Sequence, residues 1–195
     1  MVPRSAASRG RPPTVRAVRW IVHGEREIYD SPWVRLTLAD VEIPGINRFE
    51  HHVVRMPHQA AGVIVHDPER GVLLLWRHRF ITDTWGWEIP AGRVEAGESV
   101  EEGGRREALE ETGWRVGSIT PVVTYHPMNG ICDQAFHILL ATDAVHVGDP
   151  TDPSESERVE WVATADLKDA ITRGDVPDGF TLIALTYALL FGALD

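Results

Sequence analysis

Three closely spaced glutamates, Glu107, Glu110 and Glu111, are the residues of this chain best suited to chemistry. They belong to segment 92–114, which contains seven glutamates. On an α-helix with about 100° per residue, Glu110 lies about 60° to one side of Glu107 and Glu111 about 40° to the other. Carboxylates so close together repel each other unless a cation neutralises them. Because Mg²⁺ and Mn²⁺ prefer oxygen ligands, the spacing predicts a divalent-metal site.

A helix must carry these glutamates. Ser99 and Glu102 have the spacing of a capping box, so we expect the helix to begin after Ser99 and to end near Gly113. Gly103 and Gly104 lie inside it, where each glycine costs about 1 kcal/mol relative to alanine. Either another element packs closely against these positions or metal binding offsets the loss.

The same segment resembles the signature of the Nudix family. That signature has a glycine, a glutamate six residues later, an Arg-Glu pair, a Glu-Glu pair, and a final glycine followed by a hydrophobic residue. Ala108 is small where a larger aliphatic residue is usual. Every fixed position is present: Gly92, Glu98, Arg106, Glu107, Glu110, Glu111, Gly113 and Trp114. The alternative interpretation, an ordinary solvated acidic helix, does not account for this complete pattern.

The resemblance implies particular metal ligands. Glu111 and Glu107 would bind the ion directly, Glu110 would lie close by and often act through water, and the Ala91 carbonyl would add another oxygen. The expected cofactor is Mg²⁺ or Mn²⁺. Such an ion neutralises phosphate oxygens, orients a water molecule and lowers its pKa.

We predict that Arg106 and Glu110 are catalytic residues. The resemblance implies that Arg106 pairs with glutamates of the signature such as Glu98 and so fixes their side-chain conformation. The simpler alternative is a helix ion pair with Glu110, four residues further on. The two arrangements are compatible.

A general base is expected in a loop near the C-terminus. In the ADP-ribose branch of the family, the base is commonly a glutamate in a mobile loop before the strand that leads to the C-terminal helix. Glu155 and Glu157 stand in such a loop here. The resemblance favours Glu157, with Glu155 second. A merely solvated acidic loop is the alternative.

Cationic and aromatic residues are expected to bind the substrate. Arg77 and Arg79 lie at the end of a predicted strand, and Arg79 matches an arginine that often contacts phosphate in the ADP-ribose branch; a surface ion pair is the alternative. Trp33 follows a turn that would face a partner subunit's cleft, although a tryptophan is more often core. Glu98 and Asn129 complete the predicted substrate-binding set.

The implied reaction is hydrolysis of the diphosphate linkage in a nucleoside diphosphate derivative. Segment 87–92, Trp-Glu-Ile-Pro-Ala-Gly, resembles ADP-ribose and nucleotide-sugar pyrophosphatases, which favours ADP-ribose or another nucleotide sugar. Asn129 departs from the proline that ADP-ribose hydrolases often have there, so another diphosphate stays open. The alternatives are a nucleoside triphosphate or coenzyme A diphosphatase and a non-catalytic nucleotide-sugar sensor.

Composition and charge argue against a nucleic-acid-binding, secreted or membrane-spanning protein. The net charge of −10 over 195 residues disfavours a nucleic-acid partner, because phosphate contacts need a basic surface. The first 24 residues contain five arginines and no acidic residue, so we expect residues 1–18 to be a disordered basic tail. No segment resembles a signal peptide or a membrane span. The single Cys132 fits a reducing cytoplasm.

The order of the predicted elements indicates an α+β fold. The resemblance implies the Nudix α/β/α sandwich with a mixed β-sheet, in a catalytic domain over residues 58–195. An antiparallel meander over residues 19–57 precedes it and is expected to form a homodimer. Residues 145–157 are expected to form a flexible loop. The predicted strands are 19–28, 33–43, 48–56, 60–66, 72–79, 86–89, 115–125, 135–141 and 158–162, and the predicted helices are 99–113, 166–173 and 178–194.

Overall fold

The computed structural model describes residues 18–151 and 157–194. The predicted tail lies outside these residues except for Val18, and Glu155 lies outside them as well. In chain order the elements are β1 (Ile21–Asp30), β2 (Arg35–Ile43), β3 (Asn47–Arg55), β4 (Ala60–Asp67), β5 (Gly71–Arg79), β6 (Thr84–Glu88), β7 (Ala91–Arg93), α1 (Val100–Thr112), β8 (Trp114–Arg115), β9 (Ile119–Tyr125), β10 (Phe136–Ala141), β11 (Val145–His146), β12 (Arg158–Val162), α2 (Thr164–Arg173) and α3 (Gly179–Leu190).

Strands β1, β2 and β3 form the expected antiparallel meander. Every residue of β1 is exposed, and its exposed apolar side chains include Ile21, Val22, Ile28 and Tyr29. The middle strand β2 carries the buried positions of the meander. The strand β1 is therefore an open edge, and such an edge can pair with another chain.

The second half of the chain is built on one mixed sheet of seven strands. The strand order is β12-β5-β4-β10-β9, with β6 added to β5 and β7 added to β4. Within the described residues, β4 and β10 form a parallel pair, and the other neighbours in this sheet are antiparallel. The central strand β4 is buried along almost its whole length.

Helices cover both faces of this sheet. Side chains of β4 alternate between the faces: Ala61, Val63 and Val65 pack on the side of α1, and Ala60 and Ile64 pack on the side of α2 and α3. Burying a large aliphatic side chain contributes about 1.5–3 kcal/mol, so β4 is the centre of the core. The predicted α/β/α sandwich is confirmed. None of the helices in the described ranges combines the length and apolar character needed to cross a bilayer.

Close packing explains Gly104 in α1. A Cβ atom at this position would lie 2.6 Å from Leu139 Cδ1 and 3.0 Å from Val63 Cγ2, which is below an ordinary contact distance. The helix therefore approaches the sheet more closely than alanine allows.

Short elements differ from the prediction. The strand predicted at 115–125 is divided into β8, which pairs with β11, and β9, which pairs with β10. Residues 91–93, predicted as a loop, form β7 on β4, and β11 within the predicted flexible loop pairs with β8. The last helix ends at Leu190. Two- and three-residue strands have no periodicity of their own, so backbone pairing with a neighbour decides them.

The meander is joined through β3 to the connection between β9 and β10 of the same chain. The Val54 N–H donates to the Ile131 carbonyl at 2.8 Å, and the Asp133 N–H donates to the Val54 carbonyl at 3.2 Å. Arg55 forms ion pairs with Asp133 and Glu25. The connection between β9 and β10 is therefore held by the meander.

Candidate active site

Local capping sets the position of α1. The Ser99 hydroxyl accepts from the Glu102 N–H, and the Glu102 carboxylate accepts from the Ser99 N–H. This confirms the predicted capping box, which stabilises a helix by about 0.5–2 kcal/mol. Gly113 ends the helix in the left-handed conformation with φ 73°. Because α1 contacts β4 and β7, its glutamates lie beside Ala91 and Gly92.

Glu111 is held at both carboxylate oxygens. Its side chain is 4% exposed, against 13% for Glu107 and 45% for Glu110. Arg77 Nη1 donates to Glu111 Oε1 at 2.8 Å, and the Ala91 N–H donates to Oε2 at 2.8 Å. A buried carboxylate requires such partners. The two contacts, called here the Glu111 clamp, therefore set where this carboxylate lies.

Arg77 is buried between two glutamates. Its side chain is 8% exposed, and its Nε lies 4.0 Å from Glu88 Oε2. Glu88, itself buried, also accepts from Arg79 Nη2 at 2.5 Å. The role visible for Arg77 is to hold Glu111, and the substrate contact predicted from the sequence stays a prediction.

Arg106 contacts three glutamates at once. Its Nε donates to Glu98 Oε1 at 2.8 Å. Its Nη1 donates to Glu107 Oε1 at 2.8 Å and to Glu110 Oε2 at 3.0 Å, and its Nη2 donates to the Arg93 carbonyl at 2.7 Å. The hydrogen bond to Glu98 is the main cause that raises the pKa of Arg106, and the same bond holds the pKa of Glu98 below its usual range. Both arrangements considered for Arg106, with Glu98 and along the helix with Glu110, are present together.

Gly92 makes room for the Glu107 carboxylate. A Cβ at position 92 would lie 2.2 Å from the Glu107 carboxyl carbon. Gly92 belongs to β7 and pairs with Ala61 of β4, so any larger residue there would displace the carboxylate. The first glycine of the signature is therefore required by its contact with the Glu107 side chain.

The donors around α1 suit a hard divalent cation in type. The three helix carboxylates and the Ala91 carbonyl are all oxygen donors. Within the described ranges, however, no three acidic, His or Cys side chains converge to hold an ion as they stand. Arg106 draws Glu107 and Glu110 toward itself, so a metal ion must compete with this guanidinium. The ligand set predicted from the sequence stays a prediction.

A cleft of about 230 Å³ opens beside β7. Phe136 and Phe180 form an apolar part of its wall, with ring centroids 4.3 Å apart. Arg79 lies in this cleft with its side chain 49% exposed. Its hydrogen bonds to Glu88 raise the pKa of Arg79. The lining residues are Ala60, Arg79, Glu88, Ile89, Ala91, Gly92, Arg93, Gln134, Phe136, Asp178 and Phe180.

Trp33 of the meander lies against Arg93, a residue of the cleft lining. Ser31 Oγ accepts from the Trp33 N–H at 3.3 Å and from the Val34 N–H at 3.1 Å, which fixes the turn. The Trp33 ring is 64% exposed, and the guanidinium carbon of Arg93 lies 4.3 Å from its centroid. The structure places Trp33 against Arg93 of its own chain. The predicted position of Trp33 at a partner subunit's cleft stays a prediction.

Glu157 lies immediately before β12. Its N–H donates to the Trp76 carbonyl at 2.9 Å, and its exposed side chain borders a depression next to Thr112, at the end of α1. On the other side of the undescribed segment, the Thr151 N–H donates to the Glu110 carbonyl at 3.0 Å. The two described ends of the loop predicted to carry the base, Thr151 and Glu157, therefore lie close to the acidic helix.

Two predicted substrate-binding residues lie apart from the cleft lining. Asn129 is exposed and borders an apolar groove against the meander, next to residues such as Trp20 and Ile131. Glu98 is bound to Arg106 and also accepts from the Glu95 N–H at 3.0 Å. Substrate contact by Asn129 or Glu98 stays a prediction.

Sequence reasoning missed Glu88 and Arg93. Glu88 is a buried carboxylate that contacts both Arg77 and Arg79. Its position in an otherwise apolar stretch of segment 87–92 was an available signal, since acidic residues are rarely buried without a partner. Arg93 follows Gly92 at a variable position of the signature, and nothing in the sequence distinguished it.

The fold and the site together define a class of hydrolase that acts on phosphorylated compounds. An acidic helix face, a buried carboxylate clamp and an adjoining cleft with arginines lie at one place on an α/β/α sandwich. The NUDIX domain model matches residues 56–179, and the chain belongs to the Nudix family. It is an enzyme that hydrolyses the diphosphate linkage of a nucleoside diphosphate derivative, and Nudix hydrolases generally use divalent metal ions. The predicted family and reaction are confirmed.

Two characterised relatives extend over nearly the whole chain. The chain is 39% identical over 175 residues to the CMP-5'-(N-acetyl-N-hydroxy-3-aminopropyl)phosphonate hydrolase of Streptomyces rubellomurinus. The alignment covers 90% of this chain and 84% of the relative. It is 29% identical over 173 residues to the ADP-ribose pyrophosphatase of Bacillus subtilis. This alignment covers 87% of this chain and 92% of the relative.

A solved structure shows the same fold. The crystal structure of an ADP compounds hydrolase superposes with a TM-score of 0.80 and covers 90% of this chain and 96% of the other. The sequences are 16% identical, so this similarity concerns the fold alone.

Proposed function

We propose that this enzyme hydrolyses the diphosphate linkage of a nucleotide sugar, with ADP-ribose as the first candidate and Mg²⁺ as the metal. The observation that carries the proposal is the position of Arg79 and Arg93 in the cleft directly beside the Glu111 clamp. The guanidinium groups that would bind phosphate oxygens therefore lie next to the carboxylates that would bind a metal ion. The similarity to the Bacillus subtilis ADP-ribose pyrophosphatase supports the choice of first candidate.

In this proposal the metal ligands are Glu107, Glu110, Glu111 and the Ala91 carbonyl. When bound, the ion neutralises phosphate charge and lowers the pKa of a water molecule. The chain's own part is to position the donors. Arg77 and the Ala91 N–H keep Glu111 in place, and the oxygens of Glu107 and Glu110 become available as they turn from their shared guanidinium.

Glu157 is proposed as the general base, with Glu155 as the second candidate. Its loop adjoins the end of α1, which supports this assignment. As the water oxygen attacks phosphorus, its proton passes to the Glu157 carboxylate and the bond to the bridging oxygen breaks. The bridging oxygen leaves with the departing phosphate.

The cleft is proposed to bind the remainder of the substrate. Arg79 exchanges its contact with Glu88 for a phosphate oxygen, since its side chain is already half exposed. The exposed side chain of Trp33 offers an aromatic ring for stacking on the base.

We further propose that the meander forms a homodimer in a cytoplasmic enzyme. The open edge of β1 supports the first statement, because exposed apolar side chains such as Val22 and Ile28 accompany unpaired backbone groups. The single cysteine, the buried Cys132, supports the second.

A substrate panel tests the proposed function. It contains ADP-ribose, other nucleotide sugars, coenzyme A, dinucleoside polyphosphates and nucleoside triphosphates, each with Mg²⁺, Mn²⁺ or EDTA. We expect turnover of a nucleotide sugar, a loss of at least about 100-fold in Glu111→Gln, and no loss in Glu69→Gln, an exposed control. Thermal unfolding of both variants verifies that they fold.

Two results would contradict the proposal. Turnover that persists in EDTA or in the Glu111→Gln variant would remove the metal-site assignment. Turnover confined to triphosphates or coenzyme A would replace the nucleotide sugar with one of the alternative substrates.

A second candidate substrate is a nucleoside monophosphate linked to a phosphonic acid. The 39% identity to the Streptomyces rubellomurinus hydrolase favours it. The bond broken is again an anhydride between two phosphorus atoms, so the same residues would serve. A kcat/KM for CMP joined to a simple alkylphosphonate that exceeds the value for ADP-ribose would favour this candidate.

A further inference from the structure

The arginines of the site differ in whether a carboxylate neutralises them. Arg77, Arg79 and Arg106 each form ion pairs with glutamates at 2.5–2.8 Å. Arg93 is exposed and forms no ion pair with any residue of the described ranges. Its guanidinium instead lies over the ring of Trp33 at 4.3 Å.

The backbone of Arg93 is fixed although its side chain is exposed. Arg93 is the last residue of β7 and pairs with Ala60 of β4. Its carbonyl accepts from Arg106 Nη2 at 2.7 Å. Arg93 thus starts from a rigid point next to the acidic helix and lines the cleft.

A diphosphate substrate must find uncompensated positive charge in this cleft. The charge of Arg79 is already compensated by Glu88, to which it donates hydrogen bonds at 2.9 and 2.5 Å. Arg93 needs to give up only a cation–π contact at an exposed site, which is weaker than a charge-assisted hydrogen bond to phosphate. The exchange therefore favours Arg93.

We propose that Arg93 binds the phosphate oxygens of the substrate and that Trp33 holds its guanidinium ready until the substrate arrives. This inference rests on the proposed function, since it takes the ligand to be a nucleoside diphosphate derivative. When Arg93 turns to the phosphate, the Trp33 ring face becomes open to the base. Recognition of phosphate and of base is thereby coupled through this pair.

Binding and kinetics together test the role of Arg93. The panel compound that wild-type protein hydrolyses is titrated calorimetrically in EDTA, and its KM and kcat are measured with the metal. We expect Arg93→Gln to raise Kd and KM at least about tenfold while kcat changes less than about threefold. Arg93→Lys should recover part of the affinity. Arg115→Gln, which removes an exposed arginine outside the cleft lining, should change neither constant.

A double-mutant cycle tests the coupling. Trp33→Leu alone should weaken binding by less than Arg93→Gln does. The two changes together should weaken binding by less than the product of the separate factors, because the second removes an interaction that the first has already disturbed. Trp33→Phe should retain most of the affinity, since a ring remains for both contacts.

The outcomes separate this inference from the proposed function. Turnover by wild type with unchanged KM and Kd in Arg93→Gln would overturn the inference and leave the function standing. Strictly multiplicative effects of the two substitutions would overturn the coupling. Absence of both binding and turnover for every panel compound would overturn the function and the inference together.

Discussion

The active site and the meander are both rich in arginine–carboxylate pairs, but the surroundings differ. In the site, the side chains of Arg77 and Glu111 are 8% and 4% exposed. In the meander, those of Arg26 and Glu50 are 61% and 54% exposed. Water and salt screen the exposed pair, which contributes little to stability. Removing one member of the buried pair leaves a charge without compensation.

The comparison indicates a role for the buried Arg77–Glu111 pair beyond stability. An apolar pair of similar volume is often as stabilising as a buried ion pair, so stability alone does not explain Arg77 and Glu111. The pair fixes a carboxylate that the proposed metal site requires. The Arg26–Glu50 pair lies within the meander, and we expect its loss to leave the site unchanged.

The largest expected effect comes from breaking the buried pair. Arg77→Met should lower the free energy of unfolding by about 3–5 kcal/mol, because Glu111 is left buried without its guanidinium. Activity should fall as well, since the Glu111 clamp loses one of its two contacts. Denaturant unfolding and steady-state kinetics measure the two effects.

The meander supplies the matched control for that change. Arg26→Gln should leave both the unfolding midpoint and the activity unchanged. Equal losses in the two variants would show that exposure does not separate the two kinds of pair.

Glycine substitutions extend the comparison to packing. Gly104→Ala should destabilise the protein by about 1–2 kcal/mol, because the clash of its Cβ with Leu139 and Val63 outweighs the gain in helix propensity. Gly103→Ala in the same helix, where the Cβ meets atoms at 3.3–3.4 Å, should be close to neutral. Gly24→Ala in β1, where no atom lies within 4 Å, should not destabilise. Thermal unfolding of the three variants ranks them, and a stable Gly104→Ala would contradict the close approach of α1.

The smallest expected effect appears at alkaline pH. Tyr125 Oη is buried without a hydrogen-bond partner in the described part of the chain, and burial, with a smaller effect of Asp178, raises the pKa of Tyr125 to about 12. In the unfolded chain this pKa is about 10. The contribution of the neutral phenol to the free energy of unfolding is therefore fully present below about pH 10. It is lost as the pH rises through about 12.

Tyr125→Phe removes this pH dependence. The free energy of unfolding of the variant, relative to wild type, should rise between pH 9 and pH 11, as urea unfolding at a series of pH values will show. Tyr29→Phe, at a 56% exposed residue of the meander, should show no such trend. A parallel trend in both variants would mean that burial of Tyr125 is not the cause.

Part of the candidate site was predictable because the residues that form it are close together in the sequence. The capping box, the extent of α1 and the pair of Arg106 with Glu110 follow from residues close in sequence. The pair of Arg106 with Glu98 was implied by the family resemblance. The mixed sheet between helices was also predictable, since alternating apolar runs and the family signature indicate the fold.

The site's long-range contacts were not predictable from spacing. Arg77 lies 34 positions from Glu111 in the sequence and donates a hydrogen bond to its carboxylate. Arg93 had no distinguishing signal, and its contact with Trp33 depends on how the meander packs on the catalytic half.

The sequence by itself determined the acidic helix face, because helix periodicity and capping depend on neighbouring residues. Its resemblance to the Nudix family indicated the reaction class and the order of the longer elements. Only the tertiary structure decided which charges are buried and which carboxylate each arginine neutralises. Burial and ion pairing depend on distances between strands that the sequence does not specify. For that reason Arg77, Arg79 and Arg93, alike as residues, have three different environments within one site.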